Sequence, residues 1–457
     1  MAVAWRLTSR RFACRRSIMT TRAICIDGFN LIRPQGTGIA TYSRNLLDTA
    51  RTLGFETNAL FGPSLPAGAL KGFETVAVLD PERPPSSLRL KQRLARKLET
   101  RLSALGRAAY AFEVSDDVIW PGGDAARPLI DKGWSAQELF QRAHRAFKLH
   151  GRGTPVTFDE RTTPAPSAMH WTTLLPLHAR NVPNIYTIHD LIPLRLPHTT
   201  LNNKPLFLNM CREVARRADH IAVVSEATRQ DVIRMLGVSE DRVTNTYQAV
   251  NLPPELINRP QTDIETELDA AFSLEWGSYF LHFGAVEPKK NLSRVVEAYL
   301  ASGVTTPLVV IGGPGWMSEP EMALLKQTQS VHGENSRIRL YEYMSYSLLI
   351  TLIRGAKGVL FPSLYEGFGL PVLEAMSLGA PVLTSDQGSL PEVAGDAALQ
   401  VAPYDVQAIA RGIRQLDADS DWRAQASQRG RLQAAKFNPD AYRDKLRELY
   451  AKVGVLA

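Results

Sequence analysis

Between residues 279 and 403 the chain alternates short apolar runs with amphipathic stretches, and that alternation leaves few folds open. YFLHFG (279–284) ends in glycine and gives way to NLSRVVEAYLAS. There Leu292, Val295, Val296, Tyr299 and Leu300 fall at helical spacing behind Asn291, the expected N-cap. PLVVIGG (307–313), IRLYEY (338–343), KGVLFPS (357–363), PVLTSD (381–386) and ALQVAP (398–403) repeat the apolar theme, with a helical SYSLLITLIRGA (345–356) among them. Strands separated by helices of about 10–15 residues make a parallel sheet covered on both faces. A Rossmann-like domain over 259–435 is the expectation.

The first half follows the same grammar less regularly. AICID (23–27) leads through GFNLIRPQGTG to a helix-like IATYSRNLLDTA, and NIYTIHD (184–190) and HIAVVSE (220–226) read as strands ending in polar residues. At 457 residues the chain is too long for one core. The expected fold class is therefore α/β, with two Rossmann-like, doubly wound parallel-sheet domains facing each other across a cleft. The first would span 19–258 and the second 259–435. Residues 436–457 would form a C-terminal helix crossing back to the first domain, after a break at Asn438-Pro439. Ligands of such sheets bind beyond the carboxyl ends of the strands, which singles out His189, Asp190 and Ser225. Ser225 also reads as an N-cap for EATRQDVIRML.

Lysine and arginine outnumber aspartate and glutamate by 53 to 46, for a net charge of +7. That balance suits an anionic partner: a nucleotide, a phosphate, a membrane surface or nucleic acid. No aromatic-basic module supports nucleic acid. No run of eighteen apolar residues predicts a transmembrane helix. Cys14, Cys25 and Cys211 form no CxxC, and free thiols in a reducing cytosol are the simplest reading. Residues 1–18, with five arginines and no acid, are expected to be a disordered basic extension. Residues 81–165 fit the alternation badly and read as a basic insertion. Within them, 88–107 carries seven basic residues and one acid, with Leu94, Leu98, Leu102 and Leu105 on one helical face. Such a helix would suit peripheral docking on an anionic inner-membrane face, or equally a solvated helix packed on its own domain. Residues 112–165 take no assignment.

The stretch EGFGLPVLE (366–374) carries the chemistry. Pro371 suits a first helical turn and Gly379 its stop, so Glu366 lies on the loop and Glu374 in the helix. Gly367 and Gly369 would let backbone approach a ligand, and a helix N-terminus attracts anions. The carboxylates suit hydroxyl-rich rings instead. A nucleotide-sugar has both features. Taken alone, Glu374 is equally a dipole-favoured helix residue and Glu366 a loop charge. In EPKKN (287–291) two ammonium groups stand at a helix start, where they are unfavourable unless an anion binds there; a solvated surface pair is the plain alternative. Asp417-Ala418-Asp419 matches a metal-binding DxD but lies among surface charges, and no HExxH or Cys/His cluster offers a metal site.

The order GTG, TIHDLIP, VVSEAT, EPKKN and EGFGLPVLEAMSLGAPV resembles the family 4 retaining glycosyltransferases over roughly residues 23 to 435. The resemblance implies the two-domain GT-B fold. It implies that Glu374 holds the nucleotide ribose, that Glu366 lies by the donor sugar with Gly367, Phe368, Gly369 and Leu370, and that Lys290, helped by Lys289, binds the diphosphate. His189 would contact the transferred sugar from the N-terminal domain, and Gly36, Thr37 and Gly38 would border donor and acceptor. His189 and Glu366 are the catalytic candidates. No cofactor or metal is implied beyond the nucleotide-sugar substrate.

Two departures stand out. Many members place an arginine near the positions of Ala285 or Val286, and many carry Asn-Gly-Val where this chain has Gln248-Ala249-Val250. The subtype resembles bacterial polysaccharide-assembly mannosyltransferases. It implies a cytoplasmic enzyme transferring mannose from GDP-mannose to a lipid-linked or growing surface glycan. A UDP-hexose donor, a UDP-sugar 2-epimerase of the same fold, and a non-catalytic nucleotide- or glycan-binding scaffold are the alternatives.

Overall fold

The computed structural model describes residues 22–31, 38–63, 73–80, 105–120, 127–333 and 336–456. The extension 1–18, Gly36, Thr37 and all but the last three residues of 88–107 lie outside the described residues.

Ten strands form the N-terminal sheet: β1 (Ala23–Asp27), β2 (Glu56–Phe61), β3 (Arg107–Glu113), β4 (Lys132–Ser135), β5 (Thr154–Phe158), β6 (Ala168–Trp171), β7 (Leu177–Ala179), β8 (Asn184–Ile188), β9 (His220–Val223) and β10 (Val243–Asn245). Six form the C-terminal sheet: β11 (Phe280–Phe283), β12 (Leu308–Ile311), β13 (Ile338–Tyr341), β14 (Gly358–Phe361), β15 (Val382–Ser385) and β16 (Leu399–Val401). The second sheet runs β13-β12-β11-β14-β15-β16, parallel throughout. Its four central strands are buried at every residue, which is why they read as unbroken apolar runs and not as alternating ones.

The N-terminal sheet is ordered β10-β9-β8-β6-β1-β2-β4-β3-β5-β7. Its one departure from the all-parallel expectation is the β3–β4 pair, which is antiparallel. These strands are consecutive in the chain, and an antiparallel pair needs no helical crossover to join it. β3, β4 and β5 fall inside the stretch whose sequence resisted assignment. Only part of β3 shows the alternating burial that would mark a strand, and β4 is four residues long.

The chain returns to its first domain at the end. The helix Pro439–Lys452, capped by Asn438, packs along the helix Gly38–Thr52. Tyr450 is fully buried, its hydroxyl 3.2 Å from His170 Nδ1 and its ring edge-on to Phe55 at 5.4 Å. His170 Nε2 meets Thr187 Oγ1 at 3.0 Å, and that hydroxyl lies 2.8 Å from the Tyr42 phenol. Burial holds His170 neutral, down to about 3. A chain of polar contacts thus runs from the C-terminal helix to the strand that ends at His189. Among the described residues no helix is long and apolar enough to cross a membrane.

Tyr450→Ala removes the buried ring and leaves His170 Nδ1 without its partner. The expected cost is about 3–5 kcal/mol of stability. A clear fall in the thermal midpoint, with earlier proteolysis near Asn438, checks it.

Candidate active site

The strand order of the C-terminal sheet reverses between β11 and β14, and the crevice at such a reversal is where ligands of open α/β sheets bind. Both chemical motifs leave from this pair: EPKKN follows β11 and EGFGLPVLE follows β14. Backbone ties hold the loops together. Leu364 N–H donates to Lys289 O at 2.8 Å, and the Asn291 amide donates to Pro362 O at 2.9 Å and Pro403 O at 2.7 Å.

Asn291 is therefore not the side-chain cap expected from the sequence. Its φ of 64° puts it in the left-handed region and its amide stitches three loops. The free Ser293 N–H in the first turn is taken by Glu321 Oε2 at 2.9 Å. The helix start that remains open is Leu370–Ser377, with Gly369 at its N-cap position, Pro371 in its first turn and no capping side chain.

Lys289 and Lys290 lie in a short 3-10 turn, Pro288–Lys290, and both reach Glu366. Lys290 Nζ donates to Glu366 Oε1 at 2.7 Å, and Lys289 Nζ lies 3.6 Å from Oε2. Burial favours a neutral Glu366, but the two ammonium groups outweigh it and bring the carboxyl down to about 2. Lys290 is pulled below its usual range, by burial first and by Lys289, while it rests 4.6 Å from the Phe361 ring centroid. Lys289 is instead raised, because Glu366, Asp190 and Glu287 together overcome its burial. The Glu374 carboxyl has no hydrogen-bond partner among the described residues, and burial lifts it to about 7, against an opposing pull from Lys290.

The N-terminal domain closes the site from the other side. His189 follows β8, and its Nε2 lies 2.8 Å from Thr172 O. A carbonyl can only accept, so Nε2 carries the hydrogen and Nδ1 keeps its lone pair. Burial lowers its basicity, and the Tyr42 ring meets it edge-on at 4.9 Å.

Each of the two glycines of the loop has a structural reason of its own, apart from the ligand approach read from the sequence. A Cβ on Gly367 would stand 2.2 Å from His189 O, so the close approach is to the opposing domain's backbone. Gly369 needs φ of 103° to start its helix. The Phe368 side chain is buried against Tyr247 and Phe437, which leaves only its backbone for a donor. Leu370 is half-buried, and a Cβ on Gly38 would lie 3.5 Å from its Cδ1, which brings the start of the glycine-loop helix to the same place.

Sequence reasoning missed several residues. Asp27, at the end of β1, accepts from Thr172 N–H and Oγ1, is lifted to about 6 by burial, and leaves its Oδ1 unpartnered. The strand-end rule that found His189 would also have found it. The interdomain contacts had no such signal. Glu392 takes the backbone N–H groups of Glu226 and Ala227 at 3.0 and 3.1 Å, and Tyr365 donates to Asp231 at 2.6 Å. Thr228 Oγ1 donates toward both His189 O and Gly367 O, and Trp316 Nε1 donates to Thr199 O. Asp417 pairs with Lys357 and Thr306, and Asp419 caps the helix Ser420–Ala434. Among the described residues no three His, Cys, Asp or Glu side chains could together hold a metal ion.

Two sheets, each with its strand ends at a shared cleft and a helix crossing back, define the GT-B class of glycosyltransferase folds. The same fold is found in the sucrose-phosphate synthase of Thermosynechococcus elongatus (TM-score 0.64, 16% identity, 95% of this chain and 99% of that one). It is found too in the Anabaena protein HepE in complex with UDP and glucose (TM-score 0.63, 14% identity, 94% and 99%). Residues 266–433 match the glycosyl transferases group 1, and residues 163–252 match glycosyltransferase family 4. The chain thus carries a group 1 glycosyl transferase domain and a family 4 glycosyltransferase domain. O-antigen chain mannosyltransferase B of Escherichia coli is 33% identical over 259 residues, covering 56% of this chain and 66% of that protein. The serotype-specific mannosyltransferase WbdA of Escherichia coli is 32% identical over 271 residues, but the match spans only 32% of its length.

Gly367→Ala drives a methyl group into the His189 carbonyl. Each domain should fold as before, with an unchanged circular dichroism spectrum. The radius of gyration from small-angle scattering should rise as the cleft is held open.

Proposed function

We propose that this protein is a retaining hexosyltransferase that moves mannose from GDP-mannose onto a lipid-linked or growing surface polysaccharide, such as an O-antigen, a capsule or an exopolysaccharide. One observation carries the reading: two partly buried lysines and two glutamates converge at the switch point of one sheet, against the His189 strand end of the other.

In this reading the donor diphosphate takes the place Glu366 holds beside Lys289 and Lys290. Fixed positive charge at a leaving group is where a buried site lowers the barrier most, and the open N-terminus of Leu370–Ser377 adds to it. Glu366, freed of its lysines, accepts hydroxyls of the transferred sugar. Glu374 accepts those of the ribose. His189 offers Nδ1 to a sugar hydroxyl in the one tautomer its Thr172 contact allows. Retention follows if the departing phosphate deprotonates an acceptor arriving on the same face of the ring. Mannose is supported by what the two Escherichia coli relatives are called. The neighbouring HepE structures carry UDP and UDP-glucose, which keeps a UDP-hexose as the second reading. The acceptor, and action at the cytoplasmic face of a membrane, rest on the O-antigen relatives and on the basic sequence 88–107.

A stability screen with GDP, UDP, ADP and their sugars tests the donor, since a bound ligand raises the melting point by mass action. A rise with GDP and GDP-mannose alone supports the proposal. A rise with UDP-sugars alone replaces the sugar, product formed without an acceptor indicates an epimerase, and binding without turnover a scaffold.

The Glu374 carboxyl adds a pH signature. Its folded value, about 7, lies above the ordinary 4.5, so in the free protein its ionisation costs stability as pH rises through 7. Ribose hydroxyls stabilise the ionised form. Nucleotide affinity should therefore rise from pH 6 to pH 8 by several-fold, and Glu374→Gln should weaken binding about tenfold at pH 8 and flatten the profile. Titration calorimetry at the two pH values reads both effects.

A further inference from the structure

A second feature stands apart from the cleft and shares no residue with it. A half-open cavity of about 770 Å³ lies beside β5 and β7, and three guanidinium groups from three separate segments line it. Arg152 follows the helix Leu139–His150, Arg180 follows β7, and Arg217 ends the helix Lys204–Arg217. His178 stands among them, its Nδ1 buried without a hydrogen-bond partner.

The charges do not cancel locally. Glu213 accepts from Gly153 N–H at 2.9 Å and from Arg217 at 3.2 Å, and it also pairs with Arg216. One carboxylate therefore serves two arginines, and among the described residues Arg152 and Arg180 have no acidic partner. Arg180 spends one N–H on Leu105 O, a neutral acceptor at the lip of the cavity. Of the charged groups acting on His178, Glu213 alone is negative, against Arg217, Arg180 and Arg216. Arg217 also suits the helix C-terminus on which it sits, but neither Arg152 nor Arg180 lies in a helix. Like charges drawn together around a concave space repel one another unless an anion joins them.

We propose that this cavity is a binding site for a phosphoryl group, separate from the donor cleft. Guanidinium forks match phosphate oxygens two at a time, and His178 Nδ1 would gain a partner in a phosphate hydroxyl or a bound water. The phosphoryl group can come from a free phosphate or diphosphate, or from the headgroup of an anionic lipid. The volume admits either.

Two variants test it, both outside the cleft: Arg152→Glu, on an exposed side chain whose loss leaves the fold intact, and Arg180→Ala. Pyrophosphate binding is followed by thermal shift, and vesicle binding by flotation with phosphatidylglycerol against phosphatidylcholine. The cleft lysines also attract pyrophosphate, so the readout is the difference between wild type and variant. A fall of about tenfold in pyrophosphate affinity in both variants assigns the site to a free phosphoryl group. Loss of phosphatidylglycerol binding alone assigns it to a lipid headgroup. Wild type and variants behaving alike in both arms, including no binding in either, overturns the proposal. Nucleotide stabilisation, measured alongside, should be unchanged in both variants. Its loss in wild type would count against the cleft reading and leave this one standing.

Discussion

The site is organised around charges taken out of water. The buried Glu366 carboxylate and two partly buried ammonium groups meet between β11 and β14, and taking any one of them out of water alone would cost several kcal/mol. They are tolerable together because Glu366 answers both lysines. Such a cluster tolerates little displacement, so the loops that carry it are fixed by backbone: Leu364 to Lys289, and the Asn291 amide to two carbonyls of other loops. The same arrangement is poised for exchange. In the function proposed above, an arriving diphosphate would replace the carboxylate beside the lysines, and the freed carboxylate would turn to a hydroxyl-rich ring.

Closure of the cleft depends on contacts of a different kind. Several of the contacts between the domains use main-chain groups: the His189 carbonyl against a glycine with no Cβ, and two N–H groups of a helix start held by Glu392. Contacts of this sort are specific in shape but modest in energy, as suits two bodies that must part to admit a substrate. The helix Pro439–Lys452 is the durable link, because it buries aromatic rings in the first domain after the chain has finished the second. Through Tyr450, His170, Thr187 and Tyr42 it also reaches the neighbourhood of His189.

Much of this was legible in the chain. The apolar runs of the C-terminal half marked all six strands, the cap expected at Ser225 heads its helix, and the helical stretch from Ser345 and the break at Asn438-Pro439 fall where helices begin. The two motifs of the cleft were visible as well, and the strand pattern placed both at strand ends. Individual side chains were harder. Asn291 looked like a cap because caps are local, yet its amide is used by carbonyls 71 and 112 residues away. Gly367 reads as room for a ligand, and it also makes room for a carbonyl 178 positions earlier in sequence. Phe368 sits in a motif associated with donor binding, and its ring is spent on packing against Tyr247 and Phe437.

The sequence by itself determined the alternation of strand and helix, and with it two parallel sheets whose strand ends carry the polar motifs. Hydrophobic spacing is a local property, and a parallel sheet buried on both faces writes it plainly. Only the tertiary structure decided which carboxylate answers which lysine, which nitrogen of His189 keeps its lone pair, and which glycine yields to the opposing domain. Each of those depends on groups brought together from distant parts of the chain, and neither composition nor periodicity records such distances.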